Sequence, residues 1–335
     1  MTTVEAVAIA DGPLWDEDIW EDLLVYIEEE RVIPIVGPAS STVLANGRTI
    51  ALEDYVAGRL TSRLGLPSDA LPPAPTLNEV VSLYLRRNGR REALYPRIRS
   101  IVQDAAFTTP KVLRQLAEIR QFNLFVTTAF DPLLETAINE VRFGGAPRTQ
   151  TIAYAPNNVR DLETSKRSLI APTVFHLFGK LSASPSYAIS DEDLLEFLNA
   201  LQSESRRPER LFDELENNHL LIVGGNFSDW VARMFLRAAK RRRLSDPREY
   251  SKFSLMTAAA MTRGWSPFSP ISARGRRSST PVPRLLSRPC RKSVASVSAP
   301  GTGRRPPEEN GPSGTCLTAR SSSAMRARIS PSCEH

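Results

Sequence analysis

The chain has 335 residues, 41% of them hydrophobic, so it is long enough to bury a substantial core. Its net charge of +6 is uneven: residues 252–335 hold 14 Lys and Arg but 3 Asp and Glu, a net charge of +11, which leaves −5 for residues 1–251. A mildly acidic folded part argues against a nucleic-acid partner. The apolar runs are too short to span a membrane and the N-terminus lacks a signal-peptide pattern, so the sequence predicts a cytoplasmic protein.

All three cysteines, Cys290, Cys316 and Cys333, lie near the C-terminus. The first 289 residues can therefore form neither a disulfide nor a cysteine-ligated zinc site. We expect no metal in the folded part.

The first half of the chain predicts one buried strand followed by helices. An amphipathic helix over Trp15 to Glu30 precedes an apolar, β-branched run from Val32 to Gly37, which is typical of a buried parallel strand. The following pattern is helical, with a helical insertion over about 65–120. The predicted helices span Ile50 to Leu64, 76–88, 91–105 and 110–119.

In the second half, short apolar strands alternate with helices. Strands are predicted over Asn123 to Thr128, Thr149 to Tyr154, Thr173 to Phe178 and His219 to Phe227. Helices are predicted after Asp131, over Leu194 to Leu201, over Leu211 to Glu216 and over Asp229 to Arg241. This alternation predicts an α/β fold with a doubly wound, Rossmann-like parallel sheet over residues 14–251, whose ligands bind outside the carboxyl ends of the strands.

The C-terminal region changes character near residue 252. Residues 252–335 contain 16 Ser and 10 Pro and no Asp, Gln or Tyr, so they predict a disordered, low-complexity basic tail. A second reading frame across Met256 to Phe268 can encode an acidic and then apolar segment, as a capped helix requires. We therefore favour a frameshifted tail, with a native disordered linker as the alternative. We expect a chain that ends near residue 253 to melt no lower than the full chain.

Four strand ends carry small or polar residues that could line a ligand site. The segment Gly37-Pro38-Ala39-Ser40-Ser41 can present backbone N–H groups and hydroxyls to a phosphate, although a structural turn would have the same composition. Thr128 and Asp131 follow the second strand, where Asp131 could equally cap its own helix. The last stretch, Gly224-Gly225-Asn226-Phe227-Ser228-Asp229, suits a ribose or adenine edge or an ordinary strand-to-helix connection.

His176 and His219 are the only histidines before residue 335. A histidine acting as a general base must be one of these two. Only His176 lies at a strand end expected to face the ligand side, since His219 begins its strand. A histidine packed in the core is the alternative for either.

These motifs resemble the sirtuin (SIR2-like) fold, and in particular bacterial SIR2-like proteins of anti-phage defence, some of which continue into a Toll/interleukin-1-receptor-like (TIR) domain. The resemblance covers about residues 14–251 and is most specific in NLFVTTAFDPLLETAI and HLLIVGGNFSDWVARMFLR. It implies that NAD is the ligand, with its phosphates on Gly37 to Ser41. It places Asp131 against the nicotinamide ribose, Gly179 after the catalytic strand and Gly224 to Asp229 on the adenosine side.

The sequence departs from the family pattern at both catalytic positions. Ala129 stands where an asparagine is expected, and Phe178 stands where a histidine precedes Gly179. A two-residue shift along one strand keeps the same face, so His176 could still point into the crevice, but not to the same spot. Pro38 also removes one donor from the phosphate loop.

Three functions remain open at this point. The first is an NAD⁺ glycohydrolase of anti-phage defence that uses His176 and Asp131. The second is a catalytically degenerate module that binds NAD or an ADP-ribose-like nucleotide and regulates a partner, such as a TIR-type effector or a second copy of the chain. The third is a scaffold without a ligand. Because the cysteines of a zinc ribbon are missing, protein deacylation is the activity least expected.

Overall fold

A parallel β-sheet forms the centre of the computed structural model, which describes residues 17–45, 47–105, 107–225, 230–240 and 253–256. The strands in the described residues are β1 (Val32–Val36), β2 (Thr42–Ala45), β3 (Arg48–Ala51), β4 (Leu124–Thr127), β5 (Gln150–Ala153), β6 (Thr173–His176), β7 (His219–Val223) and β8 (Phe253–Met256). Six of them form one sheet in the order β5-β6-β4-β1-β7-β8, and β2 pairs with β3 in an antiparallel hairpin.

All pairings within the large sheet are parallel. The longest pairing joins β1 to β7 over five residues, from Val32 with His219 to Val36 with Val223. Parallel sheets are stable when both faces are covered, which explains why the inner strands are mainly apolar and buried. The carboxyl ends of these strands therefore all lie at one edge of the sheet.

Helices cover both faces of this sheet. They are α1 (Glu17–Glu28), α2 (Leu52–Leu64), α3 (Leu77–Arg86), α4 (Leu94–Gln103), α5 (Lys111–Glu118), α6 (Leu133–Phe143), α7 (Asp191–Gln202), α8 (Glu209–Asn217) and α9 (Trp230–Lys240). Side chains of α1 to α6 pack in one hydrophobic cluster, and those of α7 to α9 pack in a second. Alternate strand residues join the two clusters: Val174 belongs to the first and Phe175 to the second. The predicted doubly wound α/β fold is confirmed.

The segment between β1 and β4 holds more than the helices that the sequence predicts. It begins with the β2–β3 hairpin, so α2 begins at Leu52 and not at Ile50. The turn of this hairpin contains Gly47 at φ +74°, a conformation that glycine adopts without strain. Helices α3 to α5 follow, and α3 begins with a capping box in which Thr76 and Glu79 satisfy each other's backbone N–H groups.

The sheet extends beyond the boundary at residue 251 that composition predicts. Strand β8 begins at Phe253 and pairs with β7 from Leu220 to Val223. All described residues fall within the first of two units of the chain, Met1–Ala273. Apart from β8, the predicted tail of residues 252–335 lies outside the described residues. In the described part of the chain no helix is long and apolar enough to cross a membrane.

Candidate functional site

The loop after β1 is held by its own hydrogen bonds and by the end of β7. Gly37 N–H donates to the carbonyl of Val223 at 2.8 Å, and Ala39 N–H donates to that of Gly224 at 3.2 Å. The N–H groups of Ser40 and Ser41 donate to carbonyls within the turn, and the Ser40 hydroxyl donates to the Val223 carbonyl at 3.1 Å. The Ser41 hydroxyl lies near the Asp131 carboxylate and lowers its pKa. Since Pro38 has no N–H, each backbone donor of this loop has an acceptor within the protein.

Close packing of the backbone explains why Gly37 and Gly224 stand at the ends of β1 and β7. A β-carbon on Gly37 would lie 2.3 Å from the Gly224 carbonyl oxygen and 2.8 Å from the Gly225 Cα. Gly224 has φ +66°, and a β-carbon there would lie 2.0 Å from the Ser40 hydroxyl oxygen. The first and last glycine segments therefore meet where β1 and β7 end, and the glycines allow the two backbones to touch. Asn226, Ser228 and Asp229, the remaining predicted residues of this segment, lie outside the described residues.

Thr127 and Thr128 tie the end of β4 to the end of β1. Both hydroxyls point to the carbonyl of Val36, at 3.2 Å and 3.4 Å, and the Thr128 N–H donates to the same oxygen at 3.0 Å. Thr128 is partly exposed at the carboxyl edge of the sheet. It therefore remains a candidate ligand contact, as the sequence predicts.

Asp131 is buried behind this edge and caps the start of α6. Its carboxylate accepts the Leu133 N–H at 3.0 Å. Burial raises the pKa of Asp131 above its usual value, and the Leu133 N–H and the nearby Ser41 hydroxyl oppose the rise. The hydrogen bond to the first residue of α6 is the capping role that the sequence left open.

His176 ends β6 and is completely buried. Its Nδ1 lies 3.2 Å from the Ala129 carbonyl oxygen, and its Nε2 lies 3.4 Å from Oε2 of Glu135. Because a carbonyl oxygen only accepts, Nδ1 carries a proton, and a second proton on Nε2 would make the imidazolium that pairs with the carboxylate. Both ring nitrogens thus face acceptors of the protein.

Glu135 connects His176 to a cation in the following loop. Its Oε1 lies 2.7 Å from Nζ of Lys180, whose side chain is 32% exposed, whereas that of Glu135 is 9% exposed. Burial alone would raise the pKa of Glu135, but the hydrogen bonding and charge of His176 and then Lys180 outweigh it and lower the pKa to about 2. The carboxylate is therefore ionised and shared by two basic side chains.

Glu53 is a further carboxyl group beside Asp131. It lies in the first turn of α2, and Leu52, the first residue of that helix, donates its N–H to the Ser41 carbonyl at 2.8 Å. Burial, followed by the charges of Asp131 and Asp54, raises the pKa of Glu53 to about 7. Its side chain is partly exposed, so it can exchange protons with solvent near neutral pH.

Phe178 does not share a face with His176, which corrects our expectation. Strand β6 ends at His176, and the Phe178 ring packs in the second hydrophobic cluster, edge-on to Phe197 at 6.2 Å. Gly179 follows at φ +82°, where a β-carbon would lie 2.2 Å from the Ser186 carbonyl oxygen and 2.5 Å from the Tyr187 Cα. Gly179 thus has a demonstrated role in the turn, and its proposed role toward a ligand stays a prediction.

The structure brings most of the predicted residues to one edge of the sheet. Asp131 in the loop after β4 interacts electrostatically with His176 at the end of the neighbouring β6, while Gly37 to Ser41 meet Gly224 and Gly225 at the ends of β1 and β7. Glu135, Lys180 and Glu53 are further residues at this edge that were not predicted from the sequence. Glu135 had a usable signal, because it stands one helical turn after Asp131 in a helix that starts at a strand end.

A separate cavity of about 490 Å³ lies between the β2–β3 hairpin and α2. Its lining includes Leu44, Ile50, Asp54, Tyr55, Arg59 and Phe107. It shares none of the residues of the edge described above. Among the described residues there is also no group of three His, Cys, Asp or Glu side chains arranged to hold a metal ion.

Residues 123–263 match the family model described as the SIR2-like domain, an NAD-binding fold. The matched stretch includes β4 to β8 together with Asp131, Glu135, His176 and Lys180, and it runs past the compositional boundary at residue 251. It covers less than half of the chain, and β1 with its glycine loop precedes it. No curated protein matches the chain in sequence.

Proposed function

We propose that the carboxyl edge of the sheet binds NAD or an ADP-ribose-like nucleotide. One observation carries this proposal: the glycine segments after β1 and β7 meet between two adjacent strands from which the chain continues in opposite directions along the sheet. From β1 the sheet continues to β4 on one side, and from β7 it continues to β8 on the other. In doubly wound sheets such a switch point forms the crevice in which nucleotides bind. The SIR2-like match of the second half supports the same ligand.

Calorimetry on the full chain tests this proposal with NAD, ADP-ribose, AMP and nicotinamide as separate ligands. We expect NAD and ADP-ribose to bind with millimolar or tighter affinity, and more tightly than either fragment. Hydrogen exchange then locates the ligand, because binding should slow exchange in residues 37–41, 127–131 and 177–181. No binding at millimolar ligand would overturn the proposal. Slowed exchange around Tyr55 and Phe107 would instead assign the ligand to the separate cavity.

We propose NAD⁺ hydrolysis as the second candidate function, with His176 and Asp131 as the reacting pair. The observation in its favour is the contact of His176 with Glu135, close to Asp131, at the ends of β4 and β6. Cleavage of the bond between nicotinamide and ribose builds positive charge on the ribose, which nearby carboxylates stabilise. His176 can accept a proton from the attacking water only if its ring leaves Ala129 or Glu135, so we rank hydrolysis below binding.

The resemblance to anti-phage SIR2-like proteins supports a role in phage defence as part of the second candidate. We propose a cytoplasmic protein that depletes NAD during infection, alone, as a homo-oligomer or with a TIR-type effector. Bacteria that express the chain should then form fewer plaques on phage challenge and should lose NAD. Unchanged plaque counts together with unchanged NAD would reject this role and leave nucleotide binding intact.

A further inference from the structure

The loop after β1 has no backbone donor left for the anionic part of a nucleotide. Every N–H of Gly37 to Ser41 already has an acceptor in the protein, as does the Ser40 hydroxyl. A diphosphate that enters this edge needs a cation or several donors, because a buried anion without partners is strongly disfavoured. The cation must therefore come from a neighbouring strand end.

Lys180 is the basic side chain available for this purpose. In the described parts of the loops that directly follow β1, β4, β6 and β7, it is the one Lys or Arg. It stands immediately after Gly179, four residues beyond the end of β6. Its partly exposed side chain contrasts with the buried Glu135 and His176 beneath it. Lys180 is therefore the member of this group that solvent, and a ligand in it, can reach.

Glu135 fixes the position of the Lys180 ammonium group. The Lys180 Nζ lies 2.7 Å from Oε1 of the Glu135 carboxylate, at ion-pair distance, and its N–H donors that point away from Glu135 can serve a ligand. Glu135 is itself fixed, since its second oxygen faces His176 and it projects from the first turn of α6. A long, flexible lysine side chain that is held in this way loses less entropy when it binds an anion.

We propose that Lys180 contacts the diphosphate of the bound nucleotide and that Glu135 is the residue that positions it. This inference rests on the proposed function and assigns the group that recognises the ligand's charge. A charge-assisted hydrogen bond of this kind typically changes affinity by about tenfold or more.

Calorimetry on full-length variants with NAD, ADP-ribose and inorganic pyrophosphate tests the inference. Lys180→Met should weaken the binding of all three about tenfold and reduce the salt dependence of Kd, whereas Lys180→Arg should retain most of both. Arg31→Met is the matched control. It removes a half-exposed, ion-paired cation from the opposite edge of the sheet and should leave Kd unchanged. If Lys180→Met does not fold, the Lys180→Met, Glu135→Gln double variant removes the buried unpaired carboxylate and should show the same loss.

Glu135→Gln separates positioning from charge. It should weaken binding while the salt dependence stays at the wild-type slope, because the Lys180 charge remains. Tighter binding in Glu135→Gln would overturn the positioning role, since it would show that the carboxylate only competes with the ligand.

The outcomes distinguish the inference from the proposed function. If the wild type binds NAD and Lys180→Met binds equally well, the inference fails and the NAD site stands. If pyrophosphate binds through Lys180 but NAD does not, the anion site stands and the NAD proposal fails. If none of the three ligands binds, both are overturned.

Discussion

The carbonyl oxygen of Gly224 lies so close to Gly37 that a β-carbon added there would be only 2.3 Å from it. The carboxyl ends of β1 and β7 consequently touch through bare backbone. The contact is between main-chain atoms, which cannot rotate away as a flexible side chain can. Glycine at position 37 is therefore required by the fold itself, whatever ligand the edge binds.

Gly37→Ala should destabilise the protein, and Gly58→Ala should not. We expect Gly37→Ala to cost at least about 2 kcal/mol, a fall of roughly 4–8 °C in Tm, because the new methyl group overlaps backbone. Gly58 lies exposed within α2 with nothing near its missing β-carbon, so Gly58→Ala should stabilise the chain by about 0.5–1 kcal/mol. Thermal unfolding measures both. An unchanged Tm in Gly37→Ala would contradict the close packing.

Glu135→Gln should destabilise the protein at neutral pH and lose this effect in acid. The pKa of Glu135 is lowered from 4.5 to about 2, so its stabilisation is complete above about pH 4.5 and is lost as the pH falls toward 2. In the variant, His176 and Lys180 lose their shared partner, at a cost on the order of 2–3 kcal/mol. Urea unfolding at pH 7, 4.5 and 3 follows the difference.

The matched control for this prediction is Glu140→Gln. Glu140 lies on the exposed side of the same helix, α6, and pairs with Arg114 of α5 at 3.1 Å. Exposed ion pairs contribute about 0–1 kcal/mol, so this variant should unfold like the wild type at each pH. A Glu135→Gln difference that persists undiminished at pH 3 would show that the lost stability is not electrostatic.

Glu53→Gln should show the opposite pH dependence. The pKa of Glu53 is raised to about 7, so its protonated form is favoured in the fold, and stability is lost as the pH rises from about 4.5 through 7. The variant cannot ionise and should gain about 1–2 kcal/mol over the wild type between pH 4.5 and pH 8, with allowance for a partly exposed side chain. Asp54→Asn, on an exposed neighbour, should gain much less. Equal unfolding curves for Glu53→Gln and the wild type at pH 8 would argue against a raised pKa of Glu53 beside Asp131.

Truncation tests whether the fold needs β8 and whether it needs the residues that follow. A chain that ends after residue 263 keeps β8 and the whole family match, so it should melt within about 2 °C of the full chain. A chain that ends after residue 252 loses β8, leaves the edge of β7 unpaired and should melt several degrees lower with more aggregation. The expectation that a chain ending near residue 253 melts no lower than the full chain therefore applies instead to a chain that ends after residue 263. If the chain that ends after residue 263 has a clearly lower Tm than the full chain, this would contradict the idea that the tail is frameshifted.

Much of the fold could be predicted from the sequence because its strands are short, apolar and bounded by glycine. The β2–β3 hairpin was missed although TVLANGRTIA carries the Asn-Gly pair that favours such turns. The end of β6 was placed too late, since the apolar residues Leu177 and Phe178 continue the strand pattern while the backbone turns at Gly179. An apolar run does not show where its residues stop alternating.

The chemistry of the site was predictable only in part. Asp131 and His176 could be found because each stands at a strand end. The position of Glu135 one turn after Asp131 was visible in the sequence, but its contact with His176 depends on β6 lying beside β4, which is a property of the strand order. The direction of the His176 nitrogens depends on the ring orientation, which no sequence pattern specifies. Lys180 was missed for the same reason as Glu135.

The last prediction concerns the second candidate function. If the full chain releases nicotinamide from NAD, His176→Ala should reduce the rate at least about a hundredfold, because a positioned base contributes about that much. His219→Ala should leave the rate nearly unchanged, since His219 stacks on Tyr26 at 3.9 Å where β7 begins, at the far edge of the sheet. Circular dichroism must show that both variants are folded. A fast wild type with a harmless His176→Ala would transfer the reaction to Asp131 with a bound water.

An inactive wild type can be tested by restoring the amide that the family pattern expects. Ala129→Asn places an amide beside the carbonyl that His176 contacts, so it should create or raise nicotinamide release if the crevice otherwise suits NAD. Phe178→His, which appears equivalent in the sequence, should fail and destabilise the protein, because that ring packs on Phe197 in the second hydrophobic cluster. Gain of activity in Ala129→Asn alone would identify a degenerate enzyme that now binds its former substrate. NAD binding without any gain would show that the buried His176 and Glu135 pair no longer supports the chemistry.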